Sequence, residues 1–176
     1  VEGLLSIAEL KNLTDTMVEF GGRLSYRAAQ SETYQPYEIN IAFWDALAGT
    51  DKQGKDDFQF DRFICAHAIL LALEGIPAIY IHSLLATKND HSRVENTGNL
   101  RSINRHIWDQ DELELHLGNR ESHHRKVLVR LLELIQTRKQ QKAFHPNATM
   151  LTLSLGSGLL GFWRQSLDRE QKIFAI

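Results

Sequence analysis

Two arginines in the stretch "NLRSINRH" have the chemistry and spacing to bind an oxygen-rich ligand. Arg101 and Arg105 flank Asn104 in a long polar segment that follows an apolar run. Guanidinium and amide groups offer fixed donors that suit hydroxyl or phosphate oxygens. The same arginines could instead pair with Asp90 and Glu95 on a solvated loop. The residues alone leave both interpretations open.

A second candidate is the stretch "QPYEIN", in which Tyr37 stands beside Glu38. An exposed aromatic ring next to a carboxylate can hold a sugar by stacking and by hydrogen bonds to its hydroxyls. The alternative is the edge of a strand that carries a half-buried tyrosine.

Neither a nucleotide site nor a metal site is expected. Residues 49–55, "GTDKQGK", match the start of a phosphate-binding loop, but the residue that follows is an aspartate and not a magnesium-binding hydroxyl. His123 and His124 are adjacent, so on a helix they should point in different directions. His67 and His82 fall in apolar segments, where a hydrogen-bonded core histidine is the expected state.

The composition is that of an ordinary globular domain. The chain has 176 residues, of which 43% are hydrophobic and 24% charged, and its formal net charge of −2 gives no general attraction to nucleic acid or anionic membranes. A single cysteine, Cys65, excludes an internal disulfide and favours a reducing compartment. No apolar run approaches membrane-spanning length, so a cytoplasmic protein is expected.

The elements that must position these residues begin with a helix. Ser6 and Glu9 form a capping box, apolar residues follow at helical spacing, and two glycines end the run. Residues 58–75 predict a helix that is buried nearly all round, and residues 76–85, "IPAIYIHSLL", predict a buried strand. A helix, a tight Gly-Pro turn and a strand in this order indicate an α/β unit with a parallel sheet.

The second half of the chain contains a polar segment, then an amphipathic helix, then strand-like runs. Residues 86–118 are polar, with one helical candidate near "DQDELELHL", and an amphipathic helix follows over residues 119–144. Three strand-like runs then alternate with turn signals, which is typical of antiparallel strands. We therefore expect a boundary near residue 145. The chain lacks an initiator Met and stops inside an apolar run, which suggests a piece of a longer polypeptide.

A family resemblance rests on three long stretches of this sequence: "RFICAHAILLALEGIPAIYIHSLLATKND", "NTGNLRSINRH" and "YEINIAFWDAL". Together they resemble the C-terminal half of the sucrose phosphorylase-like branch of glycoside hydrolase family 13. The chain lies nearer to the glucosylglycerate phosphorylases of that branch than to its sucrose phosphorylases. The resemblance covers essentially the whole chain.

The resemblance implies a (β/α)8 barrel followed by a small antiparallel β domain. Residues 1–145 would hold the last barrel units, and residues 146–176 would open the β domain. Such enzymes transfer an α-glucosyl group from a small glucoside to phosphate with retention of configuration, which needs a nucleophilic carboxylate and a carboxyl group that acts as acid and base. No metal or organic cofactor is implied.

Individual residues match the motifs of the family. Arg101 matches an arginine that hydrogen-bonds the hydroxyls of the bound glucosyl ring, and Tyr37 and Glu38 match a mobile loop that faces the acceptor. Sucrose phosphorylases typically carry glutamine where this chain has Glu38, and a carboxylate there disfavours a nearby anion.

Four further residues are expected to support the loop. Asn104 and Arg105 should anchor it without touching sugar. Asn89 and Asp90, at the end of the predicted strand, could either support the loop or bind substrate.

The family's catalytic groups are expected to lie outside this chain. Its nucleophile, its general acid–base residue and a His-Asp pair all precede the region that matches, and no His-Asp dipeptide occurs here. The fragment alone is therefore expected to be inactive, and its parent to act on a small glucoside and inorganic phosphate. The alternative is a non-catalytic carbohydrate-binding or interaction module of the same ancestry. An incomplete barrel would expose the apolar edge of its sheet and so favour oligomers.

Overall fold

The computed structural model describes residues 4–28 and 34–175, which form helices and short sheets. These residues contain seven α-helices: α1 (Ile7–Glu19), α2 (Phe43–Ala46), α3 (Gln59–Ala72), α4 (Ile81–Leu84), α5 (His91–Thr97), α6 (Gln110–Gly118) and α7 (His123–Gln140). They also contain seven strands: β1 (Arg23–Ala28), β2 (Tyr34–Asn40), β3 (Gly49–Thr50), β4 (Gly54–Lys55), β5 (Thr149–Leu153), β6 (Gly161–Gln165) and β7 (Lys172–Ala175). Two 3-10 segments span Leu100–Asn104 and Lys142–Phe144.

The chain divides into two compact units. Unit 1 comprises Val1–Phe63 and Tyr80–Leu128, and unit 2 comprises Ile64–Ile79 and Val129–Ile176. The boundary expected at residue 145 lies inside unit 2, and the division into a barrel and a β domain stays a prediction.

Helix α1 confirms the helix predicted behind Ser6. The Ser6 hydroxyl accepts a hydrogen bond from the backbone N–H of Glu9 at 3.2 Å, and the Glu9 carboxylate accepts one from the backbone N–H of Ser6 at 2.8 Å. Two otherwise unpaired donors at the helix end are thereby satisfied. Gly21 ends the helix with φ at +99°, a backbone conformation that side chains disfavour.

Strands β1 and β2 pair antiparallel. Ser25 faces Glu38 and Tyr26 faces Pro36, so Tyr37 is an extra residue without a cross-strand partner. This β-bulge locally redirects the strand, as bulges do beside many functional sites. Residues 29–33, which connect the two strands, lie outside the described residues.

The motif at residues 49–55 forms a tight hairpin. Gly49 pairs with Lys55 and Thr50 with Gly54, and α3 begins only at Gln59. A phosphate-binding loop instead leads directly into a helix N-terminus. The geometry therefore agrees with the interpretation that this motif is not a nucleotide site.

The strand predicted over residues 76–85 is wrong. Ile81–Leu84 forms α4, no strand is present at residues 76–80, and Ile76 is 85% exposed. A strand is stable only when its backbone groups pair with a neighbour, and no described residue forms a ladder with this segment. The expected parallel sheet is not found either, because every ladder among the described residues is antiparallel. His82 accordingly lies on a half-buried helical turn and not in a buried strand.

The helix predicted over residues 58–75 is confirmed as α3, but its complete burial is not. Phe63, His67 and Leu71 are buried, whereas Cys65 is exposed. The apolar stripe that is shielded from water is therefore narrower than the sequence suggests. The amphipathic helix is confirmed as α7, on which Val127 and Leu131 are fully buried.

The long polar segment is more ordered than expected. It contains the predicted helix α6, whose first turn is capped by Asp109. It also contains α5 and the 3-10 segment Leu100–Asn104, which were not predicted. Among the residues that the structure describes, no helix is both long enough and apolar enough to cross a membrane.

Unit 2 confirms the three antiparallel strands predicted at the C-terminal end. β6 lies between β5 and β7, with Phe162 opposite both Thr152 and Ala175. Arg164 on β6 is fully buried, and its guanidinium donates to the carbonyl oxygens of Ala72 at 2.8 Å and His145 at 2.9 Å. This arginine links the sheet to the last turn of α3.

Candidate functional site

An ion pair joins two of the residues that the sequence singles out. The Nε of Arg101 donates to both carboxylate oxygens of Glu38, at 3.1 and 2.8 Å, although the two residues are 63 positions apart. Hydrogen bonding and the negative charge of Glu38 raise the pKa of Arg101. Among the described residues, Arg101 pairs with Glu38 and not with Asp90 or Glu95, the partners in the alternative interpretation.

Backbone structure places Arg101 at the surface of unit 1. The Asn99 side chain accepts from the backbone N–H of Arg101 at 3.0 Å, which starts the 3-10 segment. Ser102 and Ile103, which follow Arg101, are buried. The buried pair fixes the backbone while the arginine side chain projects outward.

Tyr37 makes a different contact from its neighbour Glu38. It is the bulged residue of β2, its ring is 56% exposed, and the Arg27 guanidinium lies 5.2 Å from the ring centre. A cation over the face of an aromatic ring is attracted by the ring's negative face. The structure therefore surrounds Glu38 and Tyr37 with two arginines from separate parts of the chain.

Asn89 fixes the segment that follows β2. Its side-chain oxygen accepts from the backbone N–H of Ala42 at 2.7 Å, and its own backbone N–H donates to Asp45 at 2.5 Å. Burial raises the pKa of Asp45, and the hydrogen bond from Asn89 acts in the opposite direction. Whether Asn89 supports the loop or binds substrate stays a prediction.

Asp90 fixes the segment that carries Arg101. Its carboxylate accepts from the backbone N–H of Arg93 at 2.8 Å and from Nδ1–H of His106 at 2.7 Å. Its backbone N–H donates to the carbonyl oxygen of Ile103 at 2.8 Å. Burial acts to raise the pKa of Asp90, but the hydrogen bonds from His106 and Arg93 outweigh it and leave the pKa below its ordinary value.

Asn104 and Arg105 end the 3-10 segment. The carbonyl oxygen of Asn104 accepts from the Tyr80 hydroxyl at 3.3 Å. Arg105 is exposed, and its guanidinium has no hydrogen bond or ion pair within the part of the chain that the structure describes. Their assignment as loop-supporting residues stays a prediction.

A histidine-rich cleft in unit 1 was not predicted. It has a volume of about 800 Å³ and is lined by residues that include His106, Trp108, His116, His123 and His124. Trp108 lies edge-on to the rings of His106 and His124, at centroid distances of 4.6 and 5.1 Å. The contact between Trp108 and His124 joins two separate stretches of chain, so no short sequence pattern signals it.

The expectation that His123 and His124 point in different directions is wrong. Their ring centres are 3.8 Å apart, because His123 opens α7 and no preceding helical turn restricts its rotamer. Burial lowers the pKa of His124 and lowers that of His123 to about 4, and each ring bonds a backbone carbonyl oxygen. Within residues 4–28 and 34–175, no group of three or more His, Cys, Asp or Glu is arranged to hold a metal ion.

The sequence of the chain is similar to those of known phosphorylases. The chain is 36% identical to the glucosylglycerate phosphorylase of Allomeiothermus silvanus over 99% of its own length. It is 33% identical to the glucosylglycerate phosphorylase of Escherichia coli over 96% of its length, and 31% identical to a sucrose 6(F)-phosphate phosphorylase of Thermoanaerobacterium thermosaccharolyticum over 82%. The chain is a homologue of the sucrose phosphorylase-like phosphorylases. No protein-family model matches it.

The likeness to these phosphorylases extends to three dimensions. A crystal structure of a sucrose 6F-phosphate phosphorylase from Thermoanaerobacter thermosaccharolyticum superposes with a TM-score of 0.70 at 24% identity, over 98% of this chain and 34% of that one. This match shows a shared fold. The chain spans about a third of the length of the curated relatives that it matches, namely 33% and 30% of the two glucosylglycerate phosphorylases.

Proposed function

We propose that this chain is the C-terminal part of a retaining α-glucosyl phosphorylase that acts on a small glucoside. Homology to glucosylglycerate and sucrose 6(F)-phosphate phosphorylases over most of the chain supports this reaction class. In this proposal the chain contributes the last units of a (β/α)8 barrel and, with β5–β7, the opening of a small antiparallel domain. The enzyme is cytoplasmic, in keeping with the lone Cys65.

The observation that carries the proposal is the contact between Arg101 and Glu38. The resemblance assigns Arg101 to the glucosyl ring and Glu38 to the acceptor loop, and the two side chains meet at 2.8 Å. Half of the Arg101 side chain is exposed, at 50%, so guanidinium donors face outward for ligand hydroxyls. Glucosyl donor and acceptor must meet at one point, and adjacent binding residues satisfy that requirement.

The ion pair also bears on the acceptor. An isolated carboxylate at position 38 would repel phosphate, but Arg101 compensates its charge, and Arg27 adds a second cation over Tyr37. An anionic acceptor such as phosphate or glycerate is thus compatible with Glu38. The two carboxyl groups that retention requires come, in this proposal, from the part of the polypeptide that precedes this chain.

The proposal is tested by comparing this chain with the complete gene product that contains it. Each purified protein is incubated with phosphate and either glucosylglycerate, sucrose or glucosylglycerol, and α-glucose 1-phosphate is measured. We expect product from the complete protein with at least one donor and none from the 176-residue chain. Product from the chain alone would contradict its assignment as an inactive part. No product from the complete protein with any donor would refute the phosphorylase assignment.

A non-catalytic carbohydrate-binding or interaction module is the second candidate. Exposed aromatic rings on the β1–β2 hairpin favour it, since Tyr26 is 54% and Tyr37 56% exposed. The apolar side chain of Ile76, also largely exposed, could join copies of the chain. Titration calorimetry of the isolated chain with glucose and glucosylglycerate, together with its sedimentation, separates the two functions. Sugar binding by the chain alone favours the module.

A further inference from the structure

The segment that carries Arg101 is closed by two contacts at its base. At the first, Nδ1–H of His106 donates to the Asp90 carboxylate at 2.7 Å. At the second, the indole N–H of Trp108 donates to the hydroxyl of Thr87 at 3.1 Å. The two contacts therefore join residues 87–90 to residues 106–108. The segment between these two stretches includes α5 and the 3-10 segment.

The two contacts reinforce each other. The edge of the Trp108 ring packs on the His106 ring at a centroid distance of 4.6 Å, so Trp108 orients the imidazole that bonds Asp90. Thr87 is buried, and its hydroxyl also contacts Nδ1 of His82 at 3.2 Å. The residue that bonds Trp108 is therefore itself held in place. His106 thus stands between an anchored tryptophan and the carboxylate.

Asp90 connects His106 to both ends of the segment that carries Arg101. The same carboxylate caps α5 at its start, and the backbone N–H of Asp90 bonds Ile103, two residues after Arg101. The Arg101 side chain itself is half exposed, and among the described residues its ion-pair partner is Glu38 on another element. The placement of its guanidinium consequently depends on how firmly the backbone of the segment is held.

We propose that His106 is a positioning residue that, through Asp90, holds the 91–105 segment closed and so presents Arg101 to the glucosyl ring. The second half of this statement rests on the proposed function, whereas the closure of the segment does not. Without His106, the half-buried Asp90 carboxylate loses a hydrogen-bond partner and its hold on both ends of the segment weakens.

Hydrogen exchange of the complete gene product tests the closure directly. His106→Ala removes the donor, while His106→Asn keeps an amide N–H close to the position of Nδ1. We expect exchange in peptides from residues 91–105 to rise about tenfold in His106→Ala and to return near the wild-type rate in His106→Asn. Peptides from α1 must stay unchanged in both. Arg130→Ala, a half-exposed position on α7, is the control and should leave exchange in residues 91–105 unchanged.

Kinetics test whether the closure positions Arg101. With an active complete protein, His106→Ala should lower kcat/KM for the glucosyl donor by about tenfold, and His106→Asn should recover most of it. Unchanged exchange in His106→Ala would overturn the proposal whatever the activity. Faster exchange with unchanged kcat/KM would overturn the role in presenting Arg101. If the complete wild-type protein makes no glucose 1-phosphate, the proposed function fails, and the exchange data still decide whether His106 closes the segment.

Discussion

Arg101 and Glu38 form an ion pair in which one guanidinium nitrogen bonds both carboxylate oxygens, at 3.1 and 2.8 Å. Both side chains contact solvent, so the pair contributes little to stability, because water and salt screen exposed charges. Its importance lies in position: it joins the bulged strand β2 to the segment that follows α5. A ligand that binds Arg101 must therefore share this guanidinium with Glu38 or displace it.

Removing the Arg101 guanidinium should impair substrate binding without unfolding the protein. In the complete gene product we expect Arg101→Ala to lower kcat/KM for the glucosyl donor by roughly 10- to 100-fold, the range for losing a hydrogen bond from a charged group. The melting temperature should change by no more than a few degrees. Initial rates of glucose 1-phosphate formation and thermal unfolding measure the two effects.

A matched control for Arg101→Ala is Arg130→Ala on α7. Arg130 is also half exposed and also pairs with a glutamate, Glu133, at 2.8 Å. We expect kcat/KM to change by less than about twofold. Equal losses in both variants would show that the effect of Arg101 is one of general surface charge and not of substrate binding.

Local signals in the sequence predicted most of the regular elements. The capping box of Ser6 and Glu9 determines where α1 begins, and the buried apolar positions of α7, such as Val127, repeat at helical spacing. The three C-terminal strands follow from strand-like runs that turn signals separate. In each case residues close in sequence satisfy one another, so a local pattern is sufficient.

The parts that the sequence did not predict depend on distant partners. The run from residue 76 to 85 is apolar and rich in isoleucine, yet no strand of the described residues pairs with it, and Ile81–Leu84 forms α4. The contact between Asp90 and His106 spans 16 positions, and that between Arg101 and Glu38 spans 63. Arg101 and Glu38 could each be singled out by type, but only the fold shows that they touch.

Two glycines give opposite predictions when changed to alanine. A Cβ at Gly22 would stand 2.7 Å from the carbonyl oxygen of Met17, a backbone atom that cannot move aside cheaply. We expect Gly22→Ala to lower the free energy of unfolding by about 1–3 kcal/mol.

A Cβ at Gly118, at the end of α6, meets nothing within 4 Å. Gly118→Ala should be neutral or stabilising by up to about 1 kcal/mol. Urea unfolding followed by circular dichroism measures both, and a cost at Gly118 equal to that at Gly22 would refute the steric argument.

The buried Arg164 should be essential to the stability of unit 2. Its guanidinium donates to the carbonyl oxygens of Ala72 and His145, it forms no ion pair with a carboxylate among the described residues, and burial lowers its pKa. We expect Arg164→Met, which keeps much of the volume, to cost about 1–3 kcal/mol, since the carbonyl oxygen of the buried Ala72 loses its guanidinium donor. Urea unfolding monitored by fluorescence measures the loss. Arg130→Ala again serves as the exposed control, and a cost below about 1 kcal/mol for Arg164→Met would contradict the prediction.

The histidine pair at the start of α7 should make stability depend on pH. Burial lowers the pKa of His123 from 6.5 to about 4 in the folded chain, with a further contribution from the charge of His124. Between these two pH values the unfolded chain binds a proton that the folded chain does not, so stability falls as the pH falls through this window and is constant above it. Partial solvation of the ring keeps the slope below the limit of about 1.4 kcal/mol per pH unit for one group.

His123→Gln isolates this contribution. Glutamine can still donate to the carbonyl oxygen of Ala86, which His123 Nε2 contacts at 3.2 Å, but it does not titrate. Urea midpoints measured from pH 7.5 down to pH 4 should therefore fall less steeply in His123→Gln than in the wild-type chain. Arg130→Ala, a half-exposed change on α7 that removes no group titrating in this range, is the control and should leave the wild-type slope intact. Parallel pH profiles for His123→Gln and wild type would mean that the ring at position 123 titrates equally in the folded and unfolded chains, in conflict with its burial.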